Sequence, residues 1–379
     1  MTKVFNDVLY GYIQIDSLAL SIIDKPEFQR LRQLRQLGMV HYVFPSANHS
    51  RFEHSIGTYH LAGLLLRQIK ARQPELEISE RMISLVQCAA LLHDVGHVAF
   101  SHLFDHCLAN DLGVPQHEAR SIELVRTMVA KYSDIELKPE EVDLICLMIV
   151  GKHDTRYPAF LFEIVANSAY QLDVDKCDYL VRDAHHLGIS SPLQIERIFS
   201  SARVLGGHIC YHKKVYLQVL DIFMTRYRLH KEVYKHHAVV GIELQLVDIL
   251  KIVADVMDWK KMFAEHKWIY ITDSILDTIP LMRLEDPFKQ KLLERAQTLF
   301  ERLQTRKFYK IANNDLNSST VTVKSVLGFS SSFSNPMDAL LFYESDFIPH
   351  TIKPTDISKL LSNKCVEVEE NVYRSSELF

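Results

Sequence analysis

Four side chains that divalent metals favour stand at intervals along this sequence. They are His54 in Ser50-Arg51-Phe52-Glu53-His54-Ser55, the adjacent pair His93-Asp94 at the end of an apolar run from Cys88, and Asp175 in Leu172-Asp173-Val174-Asp175-Lys176. Two imidazoles and two carboxylates make a mixed nitrogen and oxygen donor set. Such a set suits zinc, manganese, iron or a mixed pair better than a thiolate-rich structural zinc site. The chemistry it points to is metal-assisted hydrolysis. A lone His-Asp dipeptide is more often a buried imidazole bonded to a carboxylate. The ordered set of four, with His97, His102 and His117 close by, raises it above that reading.

The elements that would position these groups are helices. A strongly apolar helix over 80–93, behind a Ser79-Glu80 start, would end on His93 and leave Asp94 directly after it. On a helix over 175–187, Asp175, Tyr179, Arg182 and Asp183 share one face at spacings of three and four, and so polar a face does not read as core packing. Arg226, His230 and Tyr234 repeat the i, i+4, i+8 spacing on a helix expected over 217–265. Further helices are expected over 25–38, closed by Gly38, and over 54–72, 117–132, 138–151, 159–167 and 283–304. Residues 1–16 read as a hairpin or extended arm, and Gly206-Gly207 as the turn of a second hairpin. Residues 313–319 read as a polar loop, 330–334 as a serine-rich loop, and 320–323 and 365–368 as strands. The expected architecture is mainly α, with a catalytic domain over 1–270 and a smaller α+β lobe over 271–379.

At 379 residues the chain can bury a large core, and its 47% hydrophobic and 24% charged content is ordinary for a globular protein. A net charge of −4 argues against a general nucleic-acid coat. The six cysteines, at 88, 107, 146, 177, 210 and 365, form no CxxC pair, so neither a zinc ribbon nor a disulfide framework is expected. That usage fits a reducing, intracellular compartment, cytoplasmic or nuclear. Neither a signal peptide nor a membrane span is expected.

Five stretches together carry a resemblance: Phe28-Gln29-Arg30-Leu31-Arg32, Arg51-Phe52-Glu53-His54-Ser55, His93-Asp94-Val95-Gly96-His97, Phe100-Ser101-His102-Leu103-Phe104-Asp105, and Asp173-Val174-Asp175-Lys176 onward to Gly188. The chain resembles the HD-domain deoxynucleoside triphosphate triphosphohydrolases. Within that family it is most similar to the animal enzymes that join a SAM domain to the HD domain, and that SAM domain has no counterpart here. The likeness runs from Lys3 to about Tyr234, weakens through the C-terminal lobe, and implies an HD-domain helical phosphohydrolase fold with its HD core over about 51–180.

The resemblance implies hydrolysis of a dNTP to deoxynucleoside and inorganic triphosphate. His54, His93, Asp94 and Asp175 would hold a zinc, iron or manganese ion, with magnesium arriving on the nucleotide. His102, oriented by Asp105, would be the general acid, His97 would donate to the α-phosphate, and His117 would support the acid. Arg51, Lys176 and Arg226 would clamp phosphates. Tyr234 and Leu37 would pack against C2′ and exclude a hydroxyl, Gln36 and Asp183 would bind the 3′-OH, and Tyr179 would line the sugar. Lys235 stands where the animal enzyme has Gln, which implies altered base contacts.

The family likeness also implies nucleotide effectors and a homo-oligomer, a dimer or tetramer. Lys3, Val4, Asn6, Asp24, Gln29 and Arg32 would form a first regulatory pocket, for a guanine nucleotide. Val43, Phe44, Arg197, Lys214 and His236 would form a second, for a dNTP. That second pocket is altered by His212, Gln218 and Glu232 and by a 348–354 segment without arginine. Two other functions compete. An HD-type nuclease or nucleotide phosphatase is disfavoured by an enclosed sugar pocket. A nucleotide or single-strand sensor without turnover is disfavoured by an intact ligand set. Single-stranded nucleic acid is therefore not predicted as a partner.

Overall fold

In the computed structural model, residues 3–312, 320–330, 335–358 and 364–374 are described. The chain opens with an antiparallel hairpin, β1 (Lys3–Asp7) and β2 (Gly11–Ile15), which is the expected arm. A mainly α body follows. Its chief helices are α1 (Ser17–Ile23), α2 (Arg51–Arg72), α3 (Glu80–Leu92), α4 (His117–Lys131), α5 (Pro139–Ile149), α6 (Val174–His186), α7 (Tyr216–Leu229), α8 (His237–Val256) and α9 (Pro287–Gln304).

The centre of the body is α2 packed along α3, with α5 behind α3 and α6 across α2. The apolar run expected for α3 is buried from Leu85 to Leu92, so α3 lies in the core and delivers His93 from inside it. Ser79 begins α3 by accepting from Met82 N at 3.1 Å. Helix α2 starts three residues earlier than expected. Ser50 and Glu53 form a capping box there, with Glu53 accepting from the Ser50 backbone N–H at 3.2 Å. The first turn of α2 therefore carries Arg51 and His54 inward.

Three expected helices are corrected. Residues 25–38 form only a short helix, Pro26–Gln29, a 3₁₀ turn, Arg30–Gln33, and then extended chain. The apolar period of three, Phe28, Leu31 and Leu34, is the 3₁₀ repeat rather than the α repeat. Beyond it, Arg51 N donates to Leu34 O at 2.8 Å and Gln36 N to His49 O at 2.9 Å, which pulls the segment out as a strand would be. Residues 159–167 contain just a 3₁₀ turn, Ala159–Glu163. The long helix over 217–265 is divided: α7 widens into a π turn at His230–Tyr234, breaks, and restarts as α8 behind a His236 cap, with Trp259–Ala264 a separate short helix. Caps at His236 and Asp258, whose side chains accept from Ala238 N and Lys261 N, restart the chain where apolar periodicity alone runs on.

The hairpin about Gly206-Gly207 forms as β3 (Ala202–Leu205) and β4 (His208–His212), with both glycines at positive φ. A short strand β7 (Phe342–Tyr343) pairs parallel with β4. A second small sheet has the order β5-β8-β6, built from β5 (Lys310–Ile311), β6 (Thr320–Gly328) and β8 (Val366–Arg374). Both expected C-terminal strands are thus present, and longer than their alternation suggested. The expected loops over 313–319 and 331–334 lie outside the described residues. The C-terminal region is tied to the body: the Asp273 carboxylate accepts from Arg35 N and Phe100 N, each at 2.8 Å. Among the described residues Cys88, Cys107, Cys146, Cys177 and Cys210 form no disulfide. Among the described residues no helix is long and apolar enough to cross a membrane.

Candidate active site

His54 in the first turn of α2, His93 at the end of α3, and Asp175 in the first turn of α6 converge on one point. The His54 Nε2 and His93 Nε2 atoms are 3.3 Å apart, and Asp175 Oδ1 lies 3.0 Å from the first and 3.4 Å from the second. Asp94 flanks them, its oxygens 3.5 Å from His93 Nε2 and 3.8 Å from His54 Nε2. The other ring nitrogens are committed elsewhere: His93 Nδ1 to Ala90 O at 2.7 Å, and His54 Nδ1 to Asp178 at 2.8 Å. Each imidazole therefore turns its Nε2 toward the shared centre, which is how histidine ligands are oriented for a metal. Two nitrogens and two carboxylates facing one another fit a divalent cation.

Asp178 was not singled out in the sequence, yet it holds this centre in place. It is buried beneath His54 and takes two bonds from Arg182, at 2.9 and 3.0 Å, and one from the Tyr10 hydroxyl at 2.9 Å. Burial opposes its charge, but Arg182 and His54 outweigh burial and hold its pKa at about 2. Burial likewise opposes a charge on His54, and Asp175 and Asp178 lift that pKa to about 10. Arg182 pairs with Asp178 and, at 3.0 Å, with Asp7. It therefore lies behind the centre, not on the pocket face where its spacing put it. Gly57 on α2 makes the approach possible, since a Cβ there would collide with the Asp178 carboxylate. The sequence signal for Asp178 was its place three residues after Asp175 and four before Arg182.

A second group of imidazoles, His97, His102 and His117, lies beside the first. His97 and His117 stack at 3.9 Å, and His102 meets both edge-on at 5.0 and 5.4 Å. Asp105 does not orient His102 as expected. Its carboxylate binds His117 Nδ1 at 2.7 Å and the Arg120 guanidinium at 2.6 Å. His102 and Asp105 stand one turn apart on the short helix His102–Cys107, and the buried Asp105 carboxylate is committed to His117 and Arg120. Arg51 spans the two halves, bonding the Asp94 carboxylate and Ser101 Oγ. Desolvation by the surrounding protein, then the Arg51 and His117 charges, push the His97 and His102 pKa values down.

The expected sugar and phosphate residues gather on the adjoining wall. Asp183 on α6 accepts from the Tyr234 hydroxyl at 2.5 Å, while Tyr179 and Arg226 lie close enough to Tyr234 to perturb it electrostatically. Arg226 donates to Gly328 O at 2.5 Å, which ties the wall to the C-terminal sheet. Lys176 lies 3.6 Å from Asp173. The π turn sets the pitch here, placing Tyr234 against the His230 ring at 4.9 Å. Leu37 packs on the core, and the Gln36 side-chain oxygen is buried without a bonded partner among the described residues. Lys235 closes the π turn near Glu243, whose carboxyl burial raises to about 7 and Lys235 partly offsets. A further residue passed over in the sequence is His49, whose Nε2 meets Asp183 at 2.8 Å.

The regulatory candidates are more dispersed. Lys3 pairs with Asp24 at 3.1 Å; Arg32 donates to Gln29 at 2.9 Å and lies 3.5 Å over the Phe52 ring. Val4 and Asn6 stand on β1 beside them, Val4 exposed. Of the second set, Phe44 and His236 meet edge-on at 6.0 Å, with Val43 next to Phe44. Arg197 and Lys214 sit on other elements, the turns Ile195–Phe199 and Lys213–Val215. His212 faces Tyr343 at 5.1 Å, and Glu232 lies 3.9 Å from Arg228.

Comparison with known proteins places this geometry among relatives. The HD domain family matches residues 51–183. The deoxynucleoside triphosphate triphosphohydrolase SAMHD1 homolog of Dictyostelium discoideum is 32% identical over 99% of this chain and 78% of its own length. The deoxynucleoside triphosphate triphosphohydrolase SAMHD1 of Gallus gallus is 35% identical over 81% of this chain and 55% of its own length. An HD domain-containing protein of Acanthamoeba polyphaga mimivirus is 28% identical over 98% of this chain and 92% of its own length. The chain thus spans about half the length of the bird relative and most of the other two.

Proposed function

This chain belongs to the family of HD-domain deoxynucleoside triphosphate triphosphohydrolases, and we propose that it hydrolyses a dNTP to a deoxynucleoside and inorganic triphosphate. The observation that carries the reading is the convergence of His54, His93, Asp94 and Asp175 beside the Asp183–Tyr234 pair. One half can hold a divalent cation; the other is a tyrosine-walled niche fit for a sugar. A bound zinc, iron or manganese ion would supply Lewis acidity and an activated water, with magnesium carried on the triphosphate.

The remaining chemistry belongs to the chain's own residues. Arg51, Lys176 and Arg226 place cations around the space beside the metal ligands, which suits a polyanion. His102 is the proton donor to the 5′-oxygen. Its pKa is held low partly by Arg51. A triphosphate bound against Arg51 would offset that charge and remove part of the lowering, the rest of which comes from burial and His117. His97 would donate to the α-phosphate, and His117, stacked on it and fixed by Asp105, would support the acid. Tyr234 closes the niche on the C2′ side, with Leu37 across from it.

The same reading extends to regulation. Lys3, Val4, Asn6, Asp24, Gln29 and Arg32 would take a guanine nucleotide, and Val43, Phe44, Arg197, Lys214 and His236 a dNTP, across contacts between copies of the chain. The dispersal of the second set within one protomer supports a site completed in a dimer or tetramer. We also propose the division into a catalytic domain over 1–270 and a C-terminal lobe over 271–379. The test is incubation of metal-loaded protein with dGTP, with and without GTP, followed by chromatography. Deoxyguanosine and triphosphate are expected; monophosphate and pyrophosphate would overturn the assignment.

A further inference from the structure

His49 meets two separate parts of the sugar niche, Asp183 and the Gln36 backbone, and belongs to none of the groups that would touch a nucleotide. Its Nε2 lies 2.8 Å from Asp183 Oδ1, and Asp183 Oδ2 accepts from Tyr234 at 2.5 Å. Its backbone carbonyl accepts from Gln36 N at 2.9 Å, which sets the start of the Gln36-Leu37 segment. Both side chains of the His49–Asp183 pair are shut off from solvent. The His49 ring is clamped from its face by His186, stacked at 4.3 Å and 10°, and His186 is itself 3.6 Å from Glu53 on α2. For Nε2 to donate to the carboxylate it must carry a proton.

We propose that His49 is a positioning residue that sets discrimination against ribonucleotides, by holding Asp183 so that Tyr234 and the Gln36-Leu37 segment close on C2′ and C3′ in one register. This inference rests on the nucleotide reading above. A buried carboxylate needs its donors. Without the His49 N–H, Asp183 keeps, among the side-chain donors of the described residues, the Tyr234 hydroxyl alone and is free to turn, and the tyrosine turns with it. Asp175, the metal ligand on α6, lies about two turns before Asp183 and meets His54 and His93 instead, so the loss falls on sugar recognition rather than on metal binding.

The test compares His49→Leu, which fills the space without a donor, with His49→Gln, whose amide can donate from nearly the same place. Metal-loaded full chain is assayed with dCTP and CTP under saturating GTP, and metal content is measured. His49→Leu should lose about tenfold in its preference for dCTP over CTP in kcat/KM, chiefly through KM, with metal content unchanged. His49→Gln should recover to within about threefold of wild type. Unchanged preference in folded His49→Leu overturns the proposal, as does equal impairment of both variants, which would mark His49 as packing alone. Wild type that releases no triphosphate would instead sink the nucleotide reading. Calorimetric dCTP binding then decides His49: loss with Leu and recovery with Gln support it, and equal binding refutes it.

Discussion

The metal centre and the face bearing Lys3, Asp24, Gln29 and Arg32 were both read from scattered letters, and the fold treats them oppositely. His54, His93, Asp94 and Asp175 come from three helices, and their supports, Asp178, Arg182 and Arg51, are buried with His54 and Asp94. On the other face Lys3 pairs with Asp24 at the surface, and Arg32 with its neighbour Gln29. A buried polar group without partners costs several kcal/mol, so the first set is locked into one geometry. A surface ion pair contributes about 0–1 kcal/mol and is readily exchanged for a ligand. A catalytic constellation can thus be complete within one protomer, while an effector site stays unfinished until ligand and partner arrive.

Breaking the locked side should have the largest effect. Asp94→Asn should abolish turnover while leaving the thermal transition cooperative; retained turnover would reject the ligand assignment. Asp178→Asn leaves every ligand in place but removes the acceptor behind His54. Metal affinity should fall about 10–100-fold by competition with a chelator, and unchanged affinity would show that the pair under His54 is ornamental. Gly57→Ala forces the Asp178 carboxylate aside and should destabilise the protein by about 1–3 kcal/mol in denaturant unfolding, with metal loss alongside.

The surface side should respond differently. Arg32→Ala should weaken GTP activation severalfold yet shift stability by less than about 1 kcal/mol. A large stability loss without any change in GTP response would reverse the contrast. The smallest effect concerns Glu243, whose pKa is raised to about 7 by burial. In the unfolded chain a glutamate titrates near 4.3, so folding favours the protonated form. Its contribution is full below about pH 4.3 and is lost as pH rises through about 7. Glu243→Gln should therefore raise the melting temperature slightly at pH 8 and not at pH 4; equal shifts at both would show that the carboxyl is not desolvated.

Residue types and local spacing by themselves determined the mainly α class, α3 as a buried helix ending on His93, and the grouping of Asp175, Tyr179 and Asp183 on one helix. These follow from periodicity and caps, which act over a few residues. Tertiary structure alone decided which polar residues face which. Arg182 turned behind the centre because Asp7, far away in sequence, waits there beside Asp178. Asp105 went to His117 and Arg120 instead of His102 because α4, which follows it in the chain, brings that imidazole and guanidinium onto its carboxylate. Asp178 and His49 stayed hidden for the same reason: each is recognisable by its partner, and the partner lies more than a hundred residues away. Where apolar period three broke 25–38 and a π turn broke 217–265, long-range backbone bonds and packing outweighed helix propensity. Local order is written in neighbouring side chains, whereas the pairing of buried charges is settled only when distant segments close around them.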